Sequence, residues 1–174
     1  MKVILIVAKG AQNEIGKNND LIWHLPADMR FFTQTTKGNI VLMGRKNWES
    51  IPLKYRPLSE RINVVVTRNS SFNDSDCTVF HSIESAIAYY QKEPTHADKN
   101  LFIIGGGQIY QYCLEHNLLD EMYITYIDET FEADTYFPNF NADQWQQEVI
   151  MEHGIDEKNP HAFKVLHFTS PKTD

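Results

Sequence analysis

Three consecutive glycines give the chain its clearest chemical signal. The stretch IIGGGQIYQY, residues 103–112, reads as a buried strand, a glycine turn and the start of a helix. Glycine permits positive φ and close approach to the backbone, and the first N–H groups of a helix lack partners. A phosphate or pyrophosphate satisfies such groups, although a tight turn without a ligand explains the same residues. Tyr110 stands where GxGxxG needs its last glycine, and no GK[ST] follows, so neither a standard dinucleotide fingerprint nor a P-loop fits. In VLMGRKNWESI, residues 41–51, a second apolar run ends at Gly44, and Arg45 and Lys46 open a helix. Two cations there oppose the helix dipole, a conflict that an anion would remove. INVVVT ends at Thr67, with Arg68 next. Ligands of open parallel sheets collect at the carboxyl ends of strands. Three such ends rich in Gly, Arg, Lys and Thr suggest a cofactor with several phosphates. Solvated surface charge is the ordinary alternative for any one of these cations.

The stretch NNDLIWHLPADMRFF, residues 18–32, sets one acid, Asp28, among Ile22, Trp23, Leu25, Met29, Phe31 and Phe32. On a helix that begins at Pro26, positions 28, 31 and 32 share a face. An acidic residue in a first turn is an ordinary helix start. Burial beside aromatic rings would instead raise its pKa, making it a proton donor or a partner for a cationic ring. The Trp23 indole N–H could hold a water nearby, or the ring could be core.

The elements that must hold these residues are legible as a pattern. VILIVA (3–8), NIVLMG (39–44), INVVVT (62–67) and LFIIGG (101–106) are continuous apolar runs, as in strands covered on both faces. Helical patterns fall at 27–36, 45–51, 82–92 and 107–116, with Ile83, Ala86, Ile87 and Tyr90 at helical spacing. This alternation predicts an α/β fold with a mainly parallel sheet and right-handed crossovers. MYITYID (122–128), WQQEVIME (145–152) and AFKVLHF (162–168) have no helix between them, and Asn159-Pro160 marks a turn. They are expected as antiparallel strands that extend one edge. The 174 residues, 42% hydrophobic, suit one domain over 1–174.

Several function classes are disfavoured. A net charge of −7 argues against a nucleic-acid binder. No apolar run reaches the length of a membrane span. MKVILIVAKG reads as a first strand rather than a signal peptide, because its short apolar run meets Lys9-Gly10 with no small-residue cleavage site. Cys77 and Cys113 form no metal spacing, and the seven histidines form no HxH or HxxxH pair, so no metal is expected. A reduced, cytoplasmic setting is expected.

Taken in order, IGKNNDLIWHLPADMRFF, IVLMGRKNWESI, RPLSERINVVVTR, IIGGGQIY, MYITYID and DTYFP resemble dihydrofolate reductase in its bacterial form, over nearly the whole chain. The resemblance implies a central, mostly parallel sheet of about eight strands, a C-terminal antiparallel extension and about four flanking helices. It implies reduction of 7,8-dihydrofolate by NADPH, with hydride passing to C6 and a proton reaching N5, usually by a monomer, and with antifolates as inhibitors. By that resemblance Asp28 pairs with the pterin N3 and 2-amino group, Thr125 bridges the carboxylate and that amino group, and Trp23 holds an ordered water. Phe32 packs on the pterin. Ile6 and Ile104 present backbone carbonyls, Ile51 and Leu58 wall the benzoyl group, and Val7 and Tyr110 complete the substrate side. Arg61 binds the glutamate α-carboxylate. The usual P-L-P-G-R reads Pro57-Leu58-Ser59-Glu60-Arg61 here, which adds a negative charge beside the arginine.

On the cofactor side the resemblance implies that Gly105, Gly106 and Gly107 meet the pyrophosphate, the first two joined by a cis peptide, with Gln108 and Ile109 following. Gly44, Arg45 and Lys46 lie near the phosphates, and Asn47 stands where a threonine is common. Thr67 and Arg68 receive the adenosine 2′-phosphate. Ala8, Ile15 and Gly16 flank the nicotinamide, and residues 9–24 form a mobile loop over it. Ala133 replaces a glycine common before the Asp-Thr pair, which puts loop kinetics in question. A pyrimidine reductase of riboflavin synthesis shares fold and cofactor but lacks the segment that Trp23, Leu25, Pro26 and Asp28 define. A nucleotide-binding module without catalysis would be expected to have lost one or more of Asp28, Thr125, Trp23, Arg61 and the glycines.

Overall fold

Apolar runs without alternation need cover on both faces. In the computed structural model, which describes residues 1–171, they form the middle of an eight-stranded sheet. The strands are β1 (Val3–Lys9), β2 (Glu14–Gly16), β3 (Ile40–Gly44), β4 (Ile62–Val66), β5 (Thr78–Phe80), β6 (Leu101–Gly105), β7 (Glu121–Ile127), β8 (Thr135–Tyr136), β9 (Gln146–His153) and β10 (Phe163–Thr169). The helices are α1 (Pro26–Thr36), α2 (Arg45–Ser50), α3 (Ile83–Lys92) and α4 (Gly107–Glu115). The order across the sheet is β5-β4-β3-β6-β1-β7-β10-β9, while β2 and β8 pair as a separate ribbon.

Side-chain alternation along β1 shows why the pattern works. Val3, Leu5 and Val7 enter one buried cluster with Ile83, Tyr90, Tyr110 and Cys113 of α3 and α4. Ile4 and Ile6 enter another with Trp48, Phe31 and Phe32 on the opposite face. Both faces are covered, so both sets must be apolar. α3 starts at Ser82, whose hydroxyl accepts from the Ser85 N–H, an ordinary N-cap.

The expected C-terminal arrangement needs one correction. The MYITYID segment, as β7, pairs parallel with β1, from Ile4↔Glu121 to Lys9↔Tyr126. It continues the parallel sheet because α4 carries the chain back before β7 begins. The antiparallel direction enters at β10, which pairs with β7 on one side and β9 on the other. β2, β5 and β8, of two or three residues each, are elements the sequence pattern does not announce. Segments so short carry no periodicity to read.

The parallel register decides what meets at the carboxyl edge. Ala8 lies beside Thr125, Met43 beside Gly105 and Gly44 beside Val66. One sheet edge thus gathers the ends of β1, β3, β4, β6 and β7.

Candidate active site

α1 carries Asp28, and its start is set from far away in the chain. Leu25 at the N-cap supplies no side-chain cap. The Ala27 N–H instead donates to Asn159 Oδ1 at 2.9 Å, across 132 positions of sequence. Asn159 is buried and is fixed by its own N–H and Nδ2 donating to Asp156 Oδ1 at 2.8 and 3.0 Å. From sequence Asn159 is legible only as a turn residue. Its role as a remote cap leaves no local signal.

Asp28 Oδ1 accepts from Thr125 Oγ1 at 2.7 Å. Thr125 is buried at 3% exposure, so its hydroxyl spends its one proton on the carboxylate. The pair therefore turns only acceptors to whatever enters: carboxylate lone pairs and the threonine oxygen. That is the complement of an amidine-like edge with adjacent N–H donors. Burial pushes the Asp28 pKa up, and the Thr125 hydrogen bond opposes the shift. Such a carboxyl gains from a donor-rich or cationic ring, because a buried charge needs partners.

Around it the wall is apolar. Ile6, Phe31, Phe32, Ile51, Leu58 and Ile104 belong to one cluster. Phe31, expected on the face it shares with Asp28, packs edge-on against Tyr123 at 5.9 Å. Tyr110 lies in the other cluster with Val7, and its hydroxyl donates to the Ile6 carbonyl at 2.9 Å through the sheet. At the far end Arg61 sits over the Phe32 ring at 5.8 Å. Its Nε donates to Ser59 O at 2.9 Å and its NH1 to Thr36 Oγ1 at 3.1 Å, which orients the guanidinium. Glu60, at φ +56°, turns to Lys37 at 3.3 Å, so its charge is shared with a cation other than Arg61.

The second half of the edge is built on glycine. The Gly105-Gly106 peptide is cis, and Gly105 has φ +133°. A Cβ on Gly105 would lie 3.3 Å from Asn47 Nδ2 and 3.4 Å from the Tyr110 hydroxyl, whereas one on Gly106 would meet nothing within 4 Å. The turn therefore presses inward at 105 and stands open at 106. Gly44 abuts the same place: its Cβ would lie 3.3 Å from Ile109 Cγ1. The turn opening α4 and the start of α2 are thus neighbours, and Asn47 Nδ2 reaches the Ile104 carbonyl at 3.5 Å. Arg45 pairs with Glu49 one turn on at 3.0 Å, while Lys46 and Gln108 are exposed. Thr67 follows β4 with its N–H on the Phe80 carbonyl and its Oγ1 accepting from the Asn69 N–H, and Arg68 is exposed beside it.

The loop between β1 and α1 crosses the front. Ile15 Cδ1 would lie 3.8 Å from a Cβ on Gly107, and Thr135 Cγ2 closer still at 3.2 Å. Gly16 O accepts from Asp134 N, and Asp134 Oδ2 accepts from Asn18 N at 2.9 Å, so the loop is tied to the segment that carries Ala133. Trp23 packs at 5.1 Å on Phe131 of that segment, half-buried against the cluster of Leu25, Ala27 and Ile127. Neither cysteine offers a thiolate: burial pushes Cys77 up to about 11 and Cys113 to about 12. Among the described residues no His, Cys, Asp or Glu group could hold a metal.

A glycine cradle at the strand ends and an acid in an apolar slot on one α/β sheet are the parts of an enzyme site with room for a phosphate-bearing group and a flat, donor-edged ring. The dihydrofolate reductase family model matches residues 2–170, and the chain belongs to that family. It is 42% identical over 164 residues to a dihydrofolate reductase of Staphylococcus haemolyticus, covering 94% of this chain and 92% of that one. It is 41% identical over 162 residues to a type 3 dihydrofolate reductase of Salmonella typhimurium, covering 93% and 94%. Among solved structures, a dihydrofolate reductase from Enterococcus faecalis complexed with NADP(H) and RAB-propyl superposes with a TM-score of 0.87. It is 32% identical and covers 98% of this chain and 97% of that one.

Proposed function

We propose that the chain reduces 7,8-dihydrofolate to 5,6,7,8-tetrahydrofolate with NADPH, passing hydride to C6 while N5 gains a proton. The observation that carries the reading is the Asp28–Thr125 pair, an acceptor-only face at the end of an apolar slot. That face pairs with the pterin N3–H and 2-amino group. The carboxylate draws positive charge onto the ring and so favours protonation at N5, which it does not touch. Trp23, at the rim, is placed to hold the water that carries the proton. Ile6 and Ile104 supply carbonyls, Phe32 packs on the ring, Ile51 and Leu58 flank the benzoyl group, and Arg61 binds the α-carboxylate.

The residues at the second half fit a dinucleotide. The open side of Gly106 and the free N–H groups that start α4 suit a pyrophosphate. Gly44, Arg45, Lys46 and Asn47 lie beside it, and Thr67 and Arg68 suit a 2′-phosphate. Ala8, Ile15, Gly16, Gly107, Gln108 and Ile109 surround the remaining end. NADPH, when bound, supplies the hydride. The reading also places the protein in the cytoplasm as a monomer without a nucleic-acid or membrane partner, in keeping with its net charge of −7.

The test is turnover of dihydrofolate by purified protein, followed by the loss of reduced nicotinamide absorbance. Substrate-dependent oxidation, faster with NADPH than NADH and blocked by methotrexate, is expected. Tight NADPH binding without turnover would redirect the search to another pterin or a pyrimidine. Arg61 gives a sharper prediction. Arg61→Leu is expected to raise KM for dihydrofolate by roughly 10- to 100-fold with little change in kcat, as the loss of a charge-assisted contact requires. For a pterin substrate without the glutamate tail, the variant and wild type should match.

A further inference from the structure

We propose that Glu14 is a positioning residue for hydride transfer: its buried carboxylate locks the Ile15-Gly16 segment to the Phe131 segment, and position 10 is glycine to make room for it. The inference rests on the functional reading above.

Glu14 is 0% exposed, a rare place for a carboxylate without a reason. Its Oε2 accepts from the Phe131 N–H at 2.9 Å, and Oε1 has no hydrogen-bond partner among the described residues. A buried acid half satisfied in this way costs stability. The backbone of the same residue closes the turn, with Gly10 N donating to Glu14 O at 2.9 Å. A Cβ on Gly10 would collide with Glu14 Oε2 and lie 2.9 Å from the Phe131 ring. No positive φ demands glycine at position 10, so the close approach of the carboxylate does. Gly10 and Glu14 are one device.

Lys9 completes it. Its ammonium is half-buried, bonded to Asn13 Oδ1 at 2.6 Å and 4.6 Å from the Tyr126 ring centre. Burial lowers its pKa, and the Glu14 charge works against that loss. The glutamate thus supports the charge of the half-buried lysine across the turn.

The geometry points the effect at the cofactor end. Glu14 and Ile15 are neighbours at an irregular step of the β2–β8 ribbon, so fixing the Glu14 carboxylate also fixes Ile15, which packs on the core and faces Gly107. The lock holds the residue that closes on the glycine turn.

The test begins with wild-type turnover, which decides the functional reading by itself. Glu14→Ala is expected to slow single-turnover hydride transfer about tenfold, as loose positioning does, with KM for dihydrofolate unchanged. Glu14→Gln keeps an acceptor for the Phe131 N–H and should stay near wild type. Gly10→Ala, which displaces the carboxylate, should match Glu14→Ala and add little to it in the double variant. Amide exchange at Phe131 reads the lock without chemistry and should quicken in Glu14→Ala and Gly10→Ala but not in Glu14→Gln. Wild-type hydride transfer in Glu14→Ala would overturn the proposal, and so would equal losses in the alanine and glutamine variants. If Glu14→Ala does not fold, normal hydride transfer in Gly10→Ala overturns it instead.

Discussion

Asp28→Asn lowers kcat/KM for dihydrofolate by roughly 10²- to 10⁴-fold near neutral pH, the range expected when an acid–base group is lost, while NADPH binding and the fold survive. Asparagine keeps the shape and an oxygen to accept from Thr125. It replaces the second carboxylate oxygen with an N–H₂ group, which meets the donor edge of the pterin with donors. The stability effect has the opposite sign. Burial raises the Asp28 pKa above its ordinary value of 3.8, so between those two values the folded state holds a proton that the unfolded chain has released. Stability therefore falls as pH rises through that window, and the loss persists above it. The amide does not titrate, so the variant should melt at or above the wild-type temperature at neutral pH. Rates across pH and thermal melts check both halves. Normal turnover by the variant would remove Asp28 from the reaction.

The glycine turn yields the second large effect, because its residues differ in what they tolerate. Gly105→Ala forces a side chain into φ +133° and against Asn47 and Tyr110. It should cost about 1–3 kcal/mol, a drop in Tm of roughly 2–4 °C for each, and weaken NADPH binding as well. Gly106→Ala meets nothing within 4 Å and adopts an ordinary φ of −92°. Its Tm should hold. Its methyl projects into the space proposed for the pyrophosphate, so NADPH affinity should fall about tenfold or more, at least 1.4 kcal/mol. Melting curves and cofactor titrations separate the two. If Gly106→Ala binds NADPH normally, the turn is not the phosphate seat.

The parallel core was legible because each strand carries enough apolar residues to exclude a solvated face, as the split of β1 between two clusters shows. The direction of β7 was not: 122–128 looks the same whether it pairs parallel or antiparallel, and only the crossover through α4 decides. Asp28 and the glycines stood out by residue type and neighbourhood, whereas Thr125 and Arg61 were named only by the family resemblance. Asn159 and Glu14 did not stand out, since one caps a helix across 132 positions and the other hides a charge under a loop. Their meaning lies wholly in tertiary contacts. Phe31 and Phe32 both read from sequence as sharing a face with Asp28, and both pack on the cluster that holds Ile6.

The reach of Asn159 bears on how the protein is made. The first turn of the helix that carries Asp28 finds its partner only when position 159 of a 174-residue chain is available. On a ribosome, which releases the chain from its N-terminus, everything up to Asn159 must emerge before that bond can form. The acid in the slot is synthesised early and anchored late, so a nascent chain that stops short of the β9–β10 connection carries Asp28 without the contact that sets its helix.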